Sequence, residues 1–346
     1  MFRLASCPKQ WTRDRNDTHG GRYQDIRRET GSGGVREGVK MQQTLKAPVT
    51  FEGVGLHSGR PATLTIRPAS AEHGIWFRRT DIKLGDTLIP ARWDVVEQTP
   101  LCTRLVNAAG ASVSTVEHVM AALAGCGVHN ALIDIDGPEA PIMDGSSLPF
   151  VKGIMERGLR ALTEPVRALK ILKPVEVTVG AAAARLEPMD GMEIDFRIDF
   201  PDPAIGAQAR VLDMANGAFV RELSECRTFC RKEDIDQMRA AGLIKGGTLE
   251  NAVVVDGAEV LTPGGLRHAD EAVRHKMLDA LGDLALAGGP ILGRYVGNRA
   301  GHSVTNQLLR ELFATPDAVR MVVCDDDIAA RLPGAGLAAR EIPQVA

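Results

Sequence analysis

Residues 193–200 have the sequence EIDFRIDF, in which charged and apolar side chains alternate without interruption. Ile194, Phe196, Ile198 and Phe200 therefore share one face of an extended chain, and the charged side chains share the other face. This pattern predicts a β-strand that has one face in the core and one face in water.

Outward from this strand, predicted strands and helices occur in both halves of the chain. Strands are predicted around residues 64–66, 131–135 and 175–179, and helices near residues 114–123, 149–157, 216–227, 232–241, 270–287 and 304–313. They do not follow the regular spacing of βαβ units, so the sequence predicts an α+β fold rather than a doubly wound sheet. The proline and charges of residues 162–167 indicate a linker.

Composition excludes several classes of protein. The chain has 346 residues, a net charge of −3 and only 4% aromatic residues, so it lacks the basic and aromatic excess typical of nucleic-acid binding. Its apolar runs are too short to predict a transmembrane segment, and residues 1–40 lack the apolar core of a secretory signal. Those forty residues, charged and rich in glycine near their end, are predicted to be a disordered extension. The six cysteines form no CxxC pair, which favours reduced thiols and a cytoplasmic protein.

The segment 269–288, ADEAVRHKMLDALGDLALAG, predicts a helix with apolar residues around most of its circumference. His275, Asp279 and Asp283 nevertheless recur every four residues, so they form one polar stripe on a largely buried helix. Burying such groups without partners costs roughly 2–7 kcal/mol each. A divalent cation such as zinc could be shared by the imidazole and a carboxylate. The alternative is a solvated polar face, or a simple hydrogen bond between His275 and Asp279.

A third ligand must come from elsewhere, and the segment 114–118, STVEH, offers His118. Ser114 and Glu117 have the spacing of a capping box, which would place His118 in the first turn of a helix. Glu117 points about 100° away from its neighbour His118, so it could reach a water on the metal instead of binding the metal itself. The alternative role for Glu117 is that of a helix cap alone.

Another histidine, His302, precedes Ser303 in the segment GNRAGHS at residues 297–303. Ser303 is a favourable N-cap residue, which predicts that His302 lies on the loop before the next helix. The alternative is a loop histidine in water.

Taken together, these segments resemble the UDP-3-O-acyl-N-acetylglucosamine deacetylases, the zinc enzymes of lipid A biosynthesis. The resemblance runs from about residue 44 to at least residue 312 and rests on eight segments in the same order. They are GVGLHSG at 53–59, LCT at 101–103, STVEHVMAALAG at 114–125, APIMDGSSLPF at 140–150, RTF at 227–229, GLIKGG at 242–247, RHKMLDALGDL at 274–284 and GHSVTNQLL at 301–309.

The resemblance implies a site that binds one catalytic Zn²⁺ ion and hydrolyses an N-acetyl group to acetate. The implied ligands are His118, His275 and Asp279, with a water in the fourth position. Glu117 is implied as the general base. The other implied catalytic residues are Thr228, which stabilises an oxyanion, His302, which protonates the leaving amine, Asp283, which orients His302, and Lys276.

The resemblance also implies two similar two-layer α+β domains with the active site between them, each carrying a small insert. The expected divisions are residues 1–40, 41–165, 166–320 and 321–346, with a βαβ-like insert at about 232–261. An apolar passage for the acyl chain is expected beside this insert, and a monomer is expected. The residues implied for substrate binding are Leu56, His57, Phe229, Ile235, Ile244, Gly247, Thr248, Ala252, Asp199, Phe200 and Arg299.

Four points remain open on sequence alone. Phe200 could stack on uracil or belong to the core face of its strand, and the passage residues could form an ordinary small core. Cys230 and Arg231 follow the RTF segment where the family often has a small residue and an aromatic, which leaves the mouth of the passage undefined. Two competing functions remain. The enzyme could act on another N-acetyl sugar, or the protein could bind a sugar nucleotide without catalysis.

Overall fold

The computed structural model describes residues 39–99 and 101–344 of the chain, so the predicted N-terminal extension lies almost entirely outside the described residues. The described helices are α1 (Glu117–Gly125), α2 (Leu148–Arg157), α3 (Ala218–Glu222), α4 (Lys232–Ala240), α5 (Glu271–Ala285), α6 (His302–Ala314) and α7 (Asp326–Ala329). None of the helices in these ranges is long and apolar enough to cross a membrane.

The first half of the described chain forms a five-stranded sheet. Its strands are β2 (Val49–Val54), β3 (Pro61–Pro68), β4 (Ile75–Arg79), β5 (Leu88–Pro90) and β9 (Ala131–Ile135), in the order β2-β3-β9-β4-β5. Only β4 and β9 are parallel. A small sheet is formed by β6 (Val96–Glu97), β7 (Arg104–Val106) and β8 (Ser112–Ser114), and β1 (Met41–Leu45) pairs with β10 (Leu159–Pro165).

The second half forms a seven-stranded sheet. Its strands are β11 (Arg167–Ile171), β12 (Val175–Val179), β13 (Ala182–Pro188), β14 (Met192–Asp199), β15 (Ala207–Asp213), β19 (Ile291–Asn298) and β20 (Val319–Val323). The strand β19 is central, since it pairs with β13, β14 and β11. In β14, Ile194, Phe196 and Ile198 are buried, as the alternating sequence predicts, but Asp195 on the face predicted to lie in water is buried as well.

A second small sheet contains β16 (Phe229–Arg231), β17 (Val253–Asp256) and β18 (Glu259–Val260). The strands β16 and β17 are parallel, and α4 lies between them in the chain. Residues 229–256 thus form a parallel βαβ unit. The strand β20 continues past residue 320, where the tail was expected to begin, and pairs with β11.

The helices α1 and α5 pack directly against each other, and α5 also contacts β14 and β15 of the second sheet. Their close approach depends on Gly282 of α5, because a Cβ atom there would lie 2.1 Å from the carbonyl oxygen of Glu117. Only a residue without a Cβ allows this contact. The two halves therefore meet where the predicted catalytic residues are located.

Sheets with helices packed against them, without regular βαβ order, confirm the predicted α+β class. Four local predictions were wrong. Residues 162–167 are not a linker, because β10 and β11 occupy most of them, and the helix predicted at 216–227 is only the short α3. Ser114 ends strand β8 and does not cap α1, whose N-cap residue is Val116. His302 is the first residue of α6 rather than a loop residue, and Gly301, not Ser303, is the N-cap.

Candidate metal centre and active site

Three buried side chains from α1 and α5 converge in the described structure. His118 comes from the first turn of α1, and His275 and Asp279 are one turn apart on α5. Asp279 Oδ1 lies 3.7 Å from His118 Nε2 and 3.3 Å from His275 Nε2. One potential ligand atom from each residue falls within 4.8 Å of the other two. The cluster joins residues that are more than 150 positions apart in the chain.

The hydrogen bonds around the cluster fit a divalent cation. His275 Nδ1 lies 3.0 Å from the Cys226 carbonyl oxygen, so Nδ1 is the donor and Nε2 keeps its lone pair towards Asp279. Asp279 Oδ2 accepts a hydrogen bond of 2.7 Å from Lys276 Nζ. Asp279 Oδ1 and His118 Nδ1 are buried without a hydrogen-bond partner in the described chain. A buried, unpaired carboxylate oxygen facing two imidazoles is the donor set that zinc prefers.

The protonation states also favour metal binding. Burial lowers the pKa of His275 to about 4, so its imidazole is neutral at physiological pH. Burial alone would raise the pKa of Asp279, but His275 and Lys276 hold it well below its ordinary value. Metal ligands must be deprotonated, and these two side chains already are.

Glu117 is buried at the start of α1, beside His118. Its Oε2 atom accepts a hydrogen bond of 3.0 Å from the backbone N–H of Thr103. Its Oε1 atom lies 3.9 Å from His302 Nε2. Burial raises the pKa of Glu117, which makes the carboxylate a stronger proton acceptor. These contacts replace the predicted capping box, in which Glu117 would have turned back towards Ser114.

His302 faces the same space from the first turn of α6. Its Nδ1 atom lies 2.8 Å from Asp283 Oδ2, and its Nε2 atom lies 3.9 Å from Asp279 Oδ2. Burial alone would lower the pKa of His302, but the charges of Asp283 and Glu117 raise it to about 9. The imidazole is therefore a cation at neutral pH, and Nε2 is a proton donor directed towards the cluster.

Two sets of supporting residues were missed by the sequence predictions. Thr103 contacts both Glu117 and Asp283, although its only signal in the sequence was membership of the LCT segment. The buried ion pair between Arg227 and Glu271 fixes the chain next to Cys226, whose carbonyl oxygen orients His275. None of these contacts has a spacing signal in the sequence, because the partners are 14 to 180 positions apart.

Comparisons with known proteins agree with this geometry. A sequence profile described as UDP-3-O-acyl N-acetylglycosamine deacetylase matches residues 42–314. The chain belongs to this deacetylase family. The prediction of the family from sequence segments is thereby confirmed.

Three curated relatives carry the name UDP-3-O-acyl-N-acetylglucosamine deacetylase. The protein of Phenylobacterium zucineum (strain HLK1) is 49% identical over 288 residues, which cover 83% of this chain and 98% of the relative. The protein of Anaeromyxobacter sp. (strain Fw109-5) is 48% identical, with 84% and 95% of the two chains covered. The protein of Shewanella frigidimarina (strain NCIMB 400) is 46% identical, with 85% and 98% covered.

In this deacetylase, the ring of Phe229 lies near both the His275 ring of the cluster and the Phe200 ring. The ring centroid of Phe229 is 6.3 Å from that of His275 and 5.3 Å from that of Phe200, in edge-to-face arrangements. Phe200 follows the last residue of β14 and is only half-buried at the edge of the core, whereas Phe196 within β14 is fully buried. Thr228 directly precedes Phe229 and is held by backbone hydrogen bonds to Gly145 and Val253, while its hydroxyl forms no hydrogen bond within the described chain.

The loop that contains Leu56 and His57 contacts the insert. The backbone N–H of Gly246 donates to the Leu56 carbonyl oxygen at 3.0 Å, and a Cβ atom at Gly247 would lie 3.5 Å from Leu56 Cδ1. Both ring nitrogens of His57 are buried without a hydrogen-bond partner in the described residues. The remaining predicted passage residues differ in exposure, since Ala252 is buried, Ile235 and Ile244 are half-buried, and Thr248 is exposed.

Three charged residues predicted for the site differ in their surroundings. Arg299 and Asp199 form an ion pair with each other on the surface. Lys276 is partly buried and its ammonium group donates a hydrogen bond to Asp279, so its charge is directed at the metal cluster. An exposed ion pair contributes little to stability, so Arg299 could exchange its partner for a phosphate at small cost.

A cavity elsewhere in the described structure is separate from this cluster. It has a volume of about 410 Å³ and is lined in part by residues of the same two helices, including Leu123, Ala124, Leu284 and Ala285. None of the predicted site residues lines it. The cavity is therefore lined by residues of α1 and α5 that take no part in the cluster.

Proposed function

We propose that this enzyme hydrolyses the N-acetyl group of UDP-3-O-acyl-N-acetylglucosamine, giving UDP-3-O-acyl-glucosamine and acetate in lipid A biosynthesis. The family membership and the name of the relatives support the substrate. The observation that carries the reaction type is the placement of Glu117 and His302, 3.9 Å apart, beside the cluster of His118, His275 and Asp279.

The proposed cofactor is one zinc ion held by His118, His275 and Asp279. When bound, zinc supplies Lewis acidity, which lowers the pKa of a water and polarises the amide carbonyl. The protein contributes the orientation of its ligands: the Cys226 carbonyl oxygen fixes the His275 ring, and Lys276 leaves Asp279 Oδ1 free.

The proposed proton transfers use Glu117 and His302. Glu117 Oε1 takes a proton from the attacking water, whose oxygen adds to the carbonyl carbon of the acetamide. His302 Nε2 then donates its proton to the amide nitrogen, so that the carbon–nitrogen bond breaks and the amine leaves. Asp283 keeps the His302 ring oriented and charged. The hydroxyl of Thr228 is the proposed donor to the carbonyl oxygen as it gains negative charge.

For the rest of the substrate, we place the acyl chain beside Leu56 and Gly247, where the insert meets the loop of residues 53–59. We place the uracil near Phe200 and the phosphates near Arg299. The half-exposed ring of Phe200 and the exchangeable ion pair of Arg299 support this orientation.

The test combines metal content with acetate release from UDP-3-O-acyl-N-acetylglucosamine. Glu117→Gln should keep the metal and lower kcat by about 10²–10⁴-fold, because only the base is lost. Glu156→Gln, an exposed change on α2, is the matched control and should behave as wild type. Acetate release from N-acetylglucosamine but not from the acylated nucleotide would favour another sugar substrate. Metal and nucleotide binding without any acetate release would leave a non-catalytic binding protein.

A further inference from the structure

A closed ring of contacts links the two proposed proton-transfer residues. The backbone N–H of Thr103 donates to Glu117 Oε2 at 3.0 Å, and the Thr103 hydroxyl donates to Asp283 Oδ1 at 2.5 Å. Asp283 Oδ2 lies 2.8 Å from His302 Nδ1. His302 Nε2 lies 3.9 Å from Glu117 Oε1, which closes the ring. Thr103, Glu117 and Asp283 are each at most 4% exposed, so water does not compete for these contacts.

We propose that Thr103 is a positioning residue. It holds the side chain of the Glu117 base and the Asp283–His302 pair in a fixed orientation relative to each other. This inference rests on the proposed deacetylase function. Thr103 does not reach the reacting atoms itself: it acts through one oxygen of each carboxylate.

The geometry explains why one residue performs both tasks. A carboxylate has two oxygens, and Thr103 occupies one of them on each partner. Glu117 Oε1 is thereby left as the oxygen that faces His302, and Asp283 Oδ2 is left as the oxygen that orients the imidazole. The distance between base and acid, 3.9 Å, leaves the two groups close enough to serve the same scissile bond.

Threonine suits this position better than other small residues. Its hydroxyl is a donor towards Asp283, and its β-branch restricts χ1, so the hydroxyl stays aligned. Hydrogen bonds from a hydroxyl to an ionised, buried carboxylate are among the stronger ones in proteins. Without that donor, Asp283 Oδ1 would be a buried charge with a missing partner, and its carboxylate would rotate away from His302.

The test separates positioning from general structural support. Thr103→Val keeps the shape and the backbone N–H but removes the hydroxyl, and it should lower kcat by about 10–100-fold with KM and metal content unchanged. Thr103→Ser restores the hydroxyl and should recover most of kcat. Thr44→Val is the matched control, because Thr44 is fully buried and its hydroxyl donates to the Asn130 carbonyl oxygen, away from the site. Thr44→Val should leave kcat at the wild-type value.

A double-mutant cycle gives the decisive outcome. If Thr103 acts through Asp283, then Thr103→Val should have little further effect on kcat in an Asp283→Ala background. Fully multiplicative losses, a wild-type kcat for Thr103→Val, or failure of the serine variant to recover activity would each overturn the inference. Absence of acetate release by the wild-type enzyme would instead reject the proposed function, so the two failures are distinguishable.

Discussion

Glu117 and His302 have pKa values shifted in the direction that each proposed role requires. Burial raises the pKa of Glu117, and the neighbouring carboxylates raise that of His302 to about 9 in spite of its burial. A base with a raised pKa and an acid that stays charged at neutral pH can operate together. Asp283 has a central role because it contacts His302 and Thr103 at the same time.

The pH dependence of kcat/KM should reflect the His302 proton. As pH rises through about 9, His302 loses that proton and the activity should fall. Asp283→Asn removes the main charge that raises this pKa, so the basic limb of the profile should move to lower pH. A His73→Gln control, outside the cluster, should leave the limb in place. A basic limb at the same pH in the Asp283→Asn enzyme would contradict the assignment of His302.

Residue spacing could predict part of this site. His275 and Asp279 lie four positions apart on a buried helix, so their proximity follows from helix geometry alone. Thr103 is 180 positions from Asp283, and its hydroxyl reaches that carboxylate only after the two halves of the chain have packed. Contacts of this kind have no local pattern, and only the resemblance to a family could indicate them.

At the level of elements, the site depends on how closely α1 and α5 approach. Gly282 packs against the backbone of Glu117, and His118 and His275 stand edge to face with ring centroids 5.1 Å apart. A wider separation of the helices would move one imidazole away from the other. The packing of two helices therefore sets the geometry of the metal cluster.

Gly282→Ala should disturb this approach. The new Cβ would meet the Glu117 carbonyl oxygen at 2.1 Å, so the backbone of α1 must shift. The expected cost is roughly 1–3 kcal/mol, partly offset by the higher helix propensity of alanine. The bound metal content, kcat and Tm of this variant should therefore all be lower than those of the wild type. Gly137→Ala is the control, because its nearest new contact is an ordinary one at 3.7 Å. Wild-type metal content and activity in Gly282→Ala would show that the helices tolerate a wider spacing.

Element types were predictable where periodicity was strong, as in β14 and α5, and less so at their ends. Ser114 and Ser303 both looked like caps, yet neither side chain caps its helix. At the first of these boundaries, Thr115 takes a positive φ of 57° between β8 and α1. Its hydroxyl donates to Glu139 at 2.9 Å, a partner 24 positions away. Tertiary contacts thus fix helix starts that local preference assigns differently.

In the whole molecule, the five-stranded and the seven-stranded sheet belong to different halves of the described chain. The cluster takes its potential ligands from both halves. His118 comes from the half that forms the five-stranded sheet, whereas His275 and Asp279 come from the half that forms the seven-stranded sheet. A metal ion held by all three would link the halves in addition to their shared apolar core. The proposed zinc therefore has a role in stability as well as in catalysis.

Removal of the metal should accordingly destabilise the whole molecule. An ion present at a thousand times its dissociation constant stabilises the folded state by about 4 kcal/mol, which corresponds to a Tm change on the order of 10 °C. Chelation should lower Tm and abolish acetate release together, and added zinc should restore both. Asp279→Asn lacks the free charged oxygen of the cluster, so its Tm should already be low and insensitive to the chelator. An equal chelator effect on this variant and on the wild type would mean that the metal responsible is bound elsewhere.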